Sequence, residues 1–226
     1  MLRYDINPSF HVLNDSLSRV YGVPSHTPLP LGNKQDPLDE LIYIMLTVMT
    51  EFGVDAVYSE LRAAYPRWDA VIEREERELA AALRPIGLYW QRARRIRQLL
   101  SEIKAREGSA TLKRLYQMDD PAVESYLTSL PGVGKKVARC VMLYSLGRDV
   151  FPVDAHVLRV LKRLGLADDG LTLKEAQDAL QPIVPEVLRF TLHVNLVIHG
   201  RTICRARVPR CGECVLRVRC RAVAAG

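Results

Sequence analysis

No apolar run in this chain of 226 residues is long enough to cross a bilayer. The longest, Leu41 to Thr50, is half of the roughly 20 residues a crossing needs. The opening Met1-Leu2-Arg3-Tyr4-Asp5 lacks the apolar stretch of a secretory signal. Alternation of polar and apolar positions never lasts for the length of a strand, no segment repeats, and none is compositionally simple. Cysteine is nearly missing: a single one, Cys140, precedes residue 204. These absences argue against a membrane protein, a secreted disulfide scaffold, a solenoid and a sheet protein. They leave an all-α, soluble, intracellular protein, expected to be a monomer with no membrane partner.

What is present fits a globule. Hydrophobic residues make up 48% and charged ones 26%, and 226 residues suffice for one large domain or two small ones. A formal charge of +6 makes a polyanionic partner plausible. A weakly amphipathic segment, Pro8 to Tyr21, precedes a connector marked by Pro24, Pro28 and Pro30. Asp36-Pro37 then caps a helix running to about Thr50, apolar nearly all round, with Asp39 and Glu40 at its positive end. Further helices are predicted over Tyr58 to Tyr65, Glu73 to Leu83, Trp90 to Glu107, Pro121 to Ser129, Lys135 to Leu146, Asp154 to Leu164, Leu173 to Leu180 and Glu186 to His199. The one starting at Trp90 is strongly basic, with Arg92, Arg94, Arg95 and Arg97. Val150 to Val153 is too short and proline-bound for a central strand.

Three constellations carry chemistry. Leu130-Pro131-Gly132-Val133-Gly134-Lys135-Lys136 places two glycines in a turn that opens a helix, so a phosphate can sit against bare amides and the positive end of the dipole. Alone, such a turn is no more than a tight corner. Lys135 and Lys136 point about 100° apart, so they cannot share one task. The helix N-terminus and the neighbouring cation disfavour a protonated amine, which leaves one of them a nucleophilic fraction near neutral pH. Second, Asp154 in Pro152-Val153-Asp154-Ala155-His156 is a helix cap whose carboxylate can also stabilise positive charge at a sugar carbon. His156 reads as a buttress.

Third, Cys204, Cys211, Cys214 and Cys220 form C-x6-C-x2-C-x5-C within the last two dozen residues, which fits a metal site better than disulfides. Four thiolates in one loop suit tetrahedral zinc or an iron–sulfur cubane. A single C-x2-C knuckle with longer arms favours the cluster. Arg201, Arg205, Arg207, Arg210, Arg217, Arg219 and Arg221 form a collar opposed only by Glu213, able to offset cluster charge and grip a phosphate backbone. Cys140 reads as a small buried hydrophobe.

These motifs, with Gly87-Leu88-Tyr89 and His199-Gly200-Arg201, resemble the endonuclease III branch of the helix-hairpin-helix DNA glycosylases over about Asp36 to Cys220. The resemblance implies a two-lobed, all-α architecture with a DNA-binding cleft between the lobes. A helical barrel lobe would span residues 30–148, and an iron–sulfur cluster lobe residues 1–29 and 149–226. It implies a [4Fe–4S] cluster held by Cys204, Cys211, Cys214 and Cys220, structural or redox-responsive. It assigns Lys136 as nucleophile at the sugar C1′ and Asp154 as the essential carboxylate. DNA contacts would come from Gly132, Val133, Gly134, Lys135, Leu88, Met49 and Arg201. The partner would be double-stranded DNA with damaged bases or abasic sites, and the location the cytoplasm, at the nucleoid. The implied activity is a glycosylase and abasic-site lyase on oxidised pyrimidines.

Thr47-Val48-Met49-Thr50-Glu51-Phe52 departs from the family pattern, where a glutamine falls at Met49 and an aspartate at Phe52. That glutamine resembles a wedge filling the gap left by a flipped base, with Leu88 resembling the second wedge. Methionine fills space but cannot hydrogen-bond the orphaned base. Weak discrimination of the opposite base and an altered lesion range are therefore expected, unless Met49 and Phe52 are core residues of an apolar helix. Two other functions remain open: a glycosylase for alkylated purines, or a DNA-binding module without catalysis.

Overall fold

The structure, a computed structural model, describes residues 6–26, 29–50 and 52–224, and side chains for residues 10–26, 29–50 and 52–223. The sequence readings at Met1 to Asp5, Pro28 and Glu51 lie outside the described residues. Among these residues there are twelve α-helices, short 3-10 turns and no strand. None of those helices is long and apolar enough to cross a membrane. The chain divides into two compact units, one of Met1–Leu31 with Asp149–Gly226, the other of Gly32–Arg148.

The continuous unit holds α2 (Pro37–Thr47), α3 (Val54–Ala64), α4 (Asp69–Glu73), α5 (Glu76–Ala82), α6 (Tyr89–Glu107), α7 (Asp120–Thr128) and α8 (Lys135–Tyr144). Asp36 caps α2 as predicted, accepting the Leu38 and Asp39 N–H groups at 2.9 and 3.1 Å. Helix α2 is buried on almost every face and packs on α3, α6 and α8. The predicted helix from Glu73 to Leu83 is two helices, because Arg74 and Glu75 are extended between α4 and α5. Helix α2 stops three residues short of Thr50. Val48 is extended and Met49 has φ 59°, in the left-handed region.

The discontinuous unit holds α1 (Ile6–Tyr21), α9 (Ala155–Leu164), α10 (Leu173–Leu180), α11 (Arg189–Thr202) and α12 (Arg221–Ala224). Phe10, Leu13 and Leu17 of α1 lie in one core with Val157 and Leu161 of α9 and with Leu192 and Leu196 of α11. Each such buried side chain contributes about 2 kcal/mol by leaving water. Helix α11 begins at Arg189 rather than Glu186. The buried Arg189 guanidinium donates to the Val184 and Gln181 carbonyls, and a 3-10 turn fills Glu186–Leu188.

Candidate active site and cysteine site

In the continuous unit the hairpin is α7, the turn and α8. Gly132 sits at φ 78°, a conformation L side chains rarely adopt, and a Cβ at Gly132 or Gly134 would meet nothing within 4 Å. The backbone of the turn is thus open for a close partner. Gly134 is the N-cap of α8 and contributes no capping side chain. Inside the hairpin, Val133 and Leu130 are buried. Glu124 of α7 braces α8 by accepting from the buried Arg139 at 2.6 Å and lying 3.9 Å from the Lys135 Nζ.

The two lysines meet different surroundings. Lys135 is exposed, whereas Lys136 is half-buried and acts electrostatically on Glu40 of α2. Glu40 is fully buried; its Oε2 accepts the Lys34 N–H at 2.6 Å, and Oε1 has no hydrogen-bond partner. Burial pushes this carboxyl up to about 8, against the pull of Lys136 and Lys34. The Lys34 ammonium is itself held over the Tyr43 and Tyr58 rings, 4.3 and 4.5 Å from their centroids. Glu40 does lie at the positive end of α2, but as a buried and largely neutral carboxyl and not as the anion that suits a helix dipole. Its one signal was an acid in a helix that is apolar on all sides.

This carboxyl has a measurable consequence. Its folded pKa of about 8 lies above the unfolded 4.5, so between those values the unfolded chain ionises and the folded one does not. Stability falls across that window as pH rises, by on the order of 5 kcal/mol, and is flat on either side. Glu40→Gln should match the wild type in thermal unfolding at pH 4.5. By pH 8.5 it should melt roughly 10–20 °C above it. Parallel melting curves at both pH values would show that Glu40 stays ionised.

Met49 and Phe52, left as possible core residues, are 87% and 84% exposed. Leu88, also half-exposed, has φ 49°. A cavity of ≈ 150 Å³ beside the hairpin turn has an apolar side of Met45, Val48, Met49 and Leu88 and a polar side of Gln91, Arg92 and Arg95. Of the four arginines in the first half of α6, Arg92, Arg94, Arg95 and Arg97, two face inward. Arg92 is buried, and Arg97 donates to the Val71 and Ile72 carbonyls at 2.7 and 3.1 Å.

In the discontinuous unit Asp154 is the N-cap of α9, accepting the Val157 N–H at 2.8 Å. The extended segment before it is held by residues the sequence did not single out. Gln177 exchanges hydrogen bonds with Val153, its Nε2 donating to the carbonyl at 2.6 Å and its Oε1 accepting the N–H at 3.2 Å. Gln181 Oε1 accepts from the Phe151 N–H at 2.8 Å, and His193 Nδ1 lies 2.9 Å from the Pro152 carbonyl. A side chain at Gly200 would come within 2.7 Å of the His156 Cβ. The glycine thus lets α11 approach α9, and His156 packs at the point of contact.

None of the five cysteines is in a disulfide. Cys140 is buried in α8. Cys204, Cys211, Cys214 and Cys220 all line one cavity of ≈ 220 Å³. Arg163 donates to the Cys204 Sγ at 3.2 Å and to the Arg205 and Ala206 carbonyls. Burial pushes the Cys214 thiol up, and Cys204, Cys220 and Cys211 add to the shift. His199, lowered to about 4 by burial, is neutral. Its Nδ1 meets the Tyr21 hydroxyl at 2.9 Å and its Nε2 lies 3.5 Å from the Cys214 Sγ. No three Cys, His, Asp or Glu side chains among the described residues converge tightly enough for a single ion. Arg201, Arg205, Arg207, Arg210, Arg217, Arg219 and Arg221 are exposed around this loop.

Residues 44–186 match the HhH-GPD superfamily of base excision DNA repair proteins. The chain belongs to this superfamily. Endonuclease III of Treponema pallidum is 36% identical over 80% of the chain and 81% of its own length. A candidate DNA glycosylase of Arabidopsis thaliana is 30% identical over 74% of the chain, but the match spans only 58% of that protein. Among solved structures, a trapped covalent complex of an endonuclease III with DNA aligns over 100% of the chain and 99% of its own, with a TM-score of 0.81 and 27% identity. A non-covalent endonuclease III–DNA complex aligns with a TM-score of 0.80, again at 27% identity, over 100% and 98% of the two chains. The HhH-GPD match takes in α8 with Lys135 and Lys136, and also Asp154.

Proposed function

We propose that this HhH-GPD protein is a DNA glycosylase and abasic-site lyase that acts on oxidised pyrimidines in double-stranded DNA. The observation that carries the reading is the environment of Lys136. It lies in the first turn of α8, behind an open glycine turn, half-buried beside a carboxyl that burial keeps largely neutral. Gly132, Val133, Gly134 and Lys135 hold the phosphate backbone, with Arg201 as a further contact, and Met49 and Leu88 enter the stack. With the damaged nucleotide extruded, the Lys136 Nζ attacks C1′ and the C1′–base bond breaks, its electrons leaving with the base. Asp154 stabilises the positive charge that develops on the sugar. The lysine adduct loses a proton and opens to a Schiff base, and β-elimination then breaks the strand on the 3′ side.

Cys204, Cys211, Cys214 and Cys220 hold a [4Fe–4S] cluster. Support comes from the four cysteines lining one cavity, with Arg163 and neutral His199 turned towards their sulfurs. When bound, the cluster cross-links an irregular loop rich in arginine. Purified protein should contain iron and acid-labile sulfide in equal amounts; zinc without sulfide would overturn this assignment.

Borohydride trapping on a panel of duplexes tests the activity. The duplexes carry an oxidised pyrimidine, an alkylated purine, an abasic site or no lesion. Adducts are expected on the oxidised pyrimidine and the abasic site. A second reading, a pocket for alkylated purines, is favoured by the apolar Met45, Val48 and Met49 wall of the cavity. It would show as release of the alkylated base in preference to the pyrimidine. Tight binding without adduct or base release would leave only a damage-binding module.

A further inference from the structure

A helix of α2's length leaves its last four carbonyls without partners in the helix. Here all four are matched. Thr47 Oγ1 donates to the Ile44 carbonyl at 2.7 Å, and the Thr50 N–H reaches the Thr47 carbonyl at 3.2 Å. The carbonyls of Met45 and Leu46 both accept from Arg92 Nη1 at 3.0 Å. Arg92 comes from α6, far along the chain, and does not stop there. Its Nη2 donates to the Val48 carbonyl at 2.6 Å and to the Ile86 carbonyl at 3.4 Å, and its Nε to the Gly87 carbonyl at 2.9 Å.

A guanidinium has five N–H bonds in a fixed plane; here two go to carbonyls in the last turn of α2 and three to carbonyls of two short loops. One loop runs from the end of α2 through Val48 to Met49; the other runs from Ile86 to Leu88. The side chain is buried and carries its charge against carbonyl dipoles alone, three of them at or just past the negative end of α2. Met49 and Leu88 are two of only three non-glycine residues with positive φ among the described residues. Each pays about 1 kcal/mol for that conformation. Both are large, apolar and exposed at the mouth of one cavity. Two neighbouring apolar side chains held out on strained backbone by one buried fork form a rigid projecting pair.

We propose that Arg92 is the positioning residue that sets Met49 and Leu88 at a fixed spacing, so that together they pry open the base stack at the lesion. The inference rests on the glycosylase reading above. Arg92 lines the same cavity, but all five of its N–H groups face protein carbonyls, so it acts through the two loops. A stacked base must be displaced before excision, whereas an abasic site has no base left to displace. The role therefore predicts a split between two substrates that a general loss of fold would not produce.

The test compares Arg92→Met and Arg92→Lys with the wild type on two duplexes, one with an oxidised pyrimidine and one with an abasic site. Arg92→Met should release the damaged base at least tenfold more slowly, yet cut the abasic strand within about twofold of the wild-type rate. Arg92→Lys has three donors instead of five and should fall between. In a duplex with 2-aminopurine beside the lesion, the fluorescence rise on binding should shrink in the same order. Equal losses on both substrates, or no loss on either, would overturn the proposal. If Arg92→Met does not fold, Arg92→Lys carries the same split by itself. Failure of the underlying glycosylase reading is distinct: the wild type would then release no base from any duplex.

Discussion

Replacing Lys136 with glutamine is expected to abolish the borohydride adduct on every duplex and to slow base release by at least roughly 10³-fold, while DNA binding persists. The variant should also fold, for a specific reason. Removing the cation near a buried carboxylate ordinarily strands a charge at a cost of several kcal/mol. Glu40, however, already sits near pKa 8 with Lys136 present, and losing Lys136 pushes it further up, so the carboxyl stays protonated at neutral pH. Lys135→Gln is the matched control. That side chain is exposed and near Glu124, so its loss should weaken binding and its salt dependence but leave the adduct. Unchanged trapping in Lys136→Gln would move the nucleophile elsewhere.

The second large effect is expected at Asp154. Its carboxylate caps α9 through the Val157 N–H, so alanine would confuse folding with chemistry. Asparagine caps a helix about as well as aspartate, and the backbone of the preceding residues is secured independently by Gln177, Gln181 and His193. Asp154→Asn should therefore melt within about 2 °C of the wild type. Removing the charge should still slow base excision by on the order of 10²- to 10³-fold. A variant that melts normally and excises at the wild-type rate would reduce Asp154 to a cap.

What could be read from the sequence was what local chemistry decides. Asp36-Pro37, Asp154 and Gly165 mark helix ends through groups within a few residues of each boundary, and the structure has those ends where they were expected. The four C-terminal cysteines, close in sequence, line one cavity. The misses come from partners distant in sequence. The stop of α2 at Thr47 was not legible, because two of its four terminal carbonyls, those of Met45 and Leu46, are taken by Arg92 of α6. Arg92 itself read as one more cation on a basic helix. Glu40 read only as an acid at the positive end of a helix, since its burial depends on α3, α6 and α8 closing over α2. Gln177 and Gln181 are ordinary helix residues until α10 is laid beside Phe151 and Val153.

The division of the chain sets an order for synthesis on the ribosome. The unit of Gly32–Arg148 is continuous, so its helices can pair with near neighbours as soon as they emerge, at little loop-closure cost. Helix α1 is made before all of them and must wait. Its partners α9 and α11 follow more than a hundred residues later, and Phe10, Leu13 and Leu17 have no core to join until then. The nascent protein thus carries a completed domain alongside an amphipathic helix whose apolar face is still uncovered. That interval is when it is most exposed to aggregation and most in need of a chaperone.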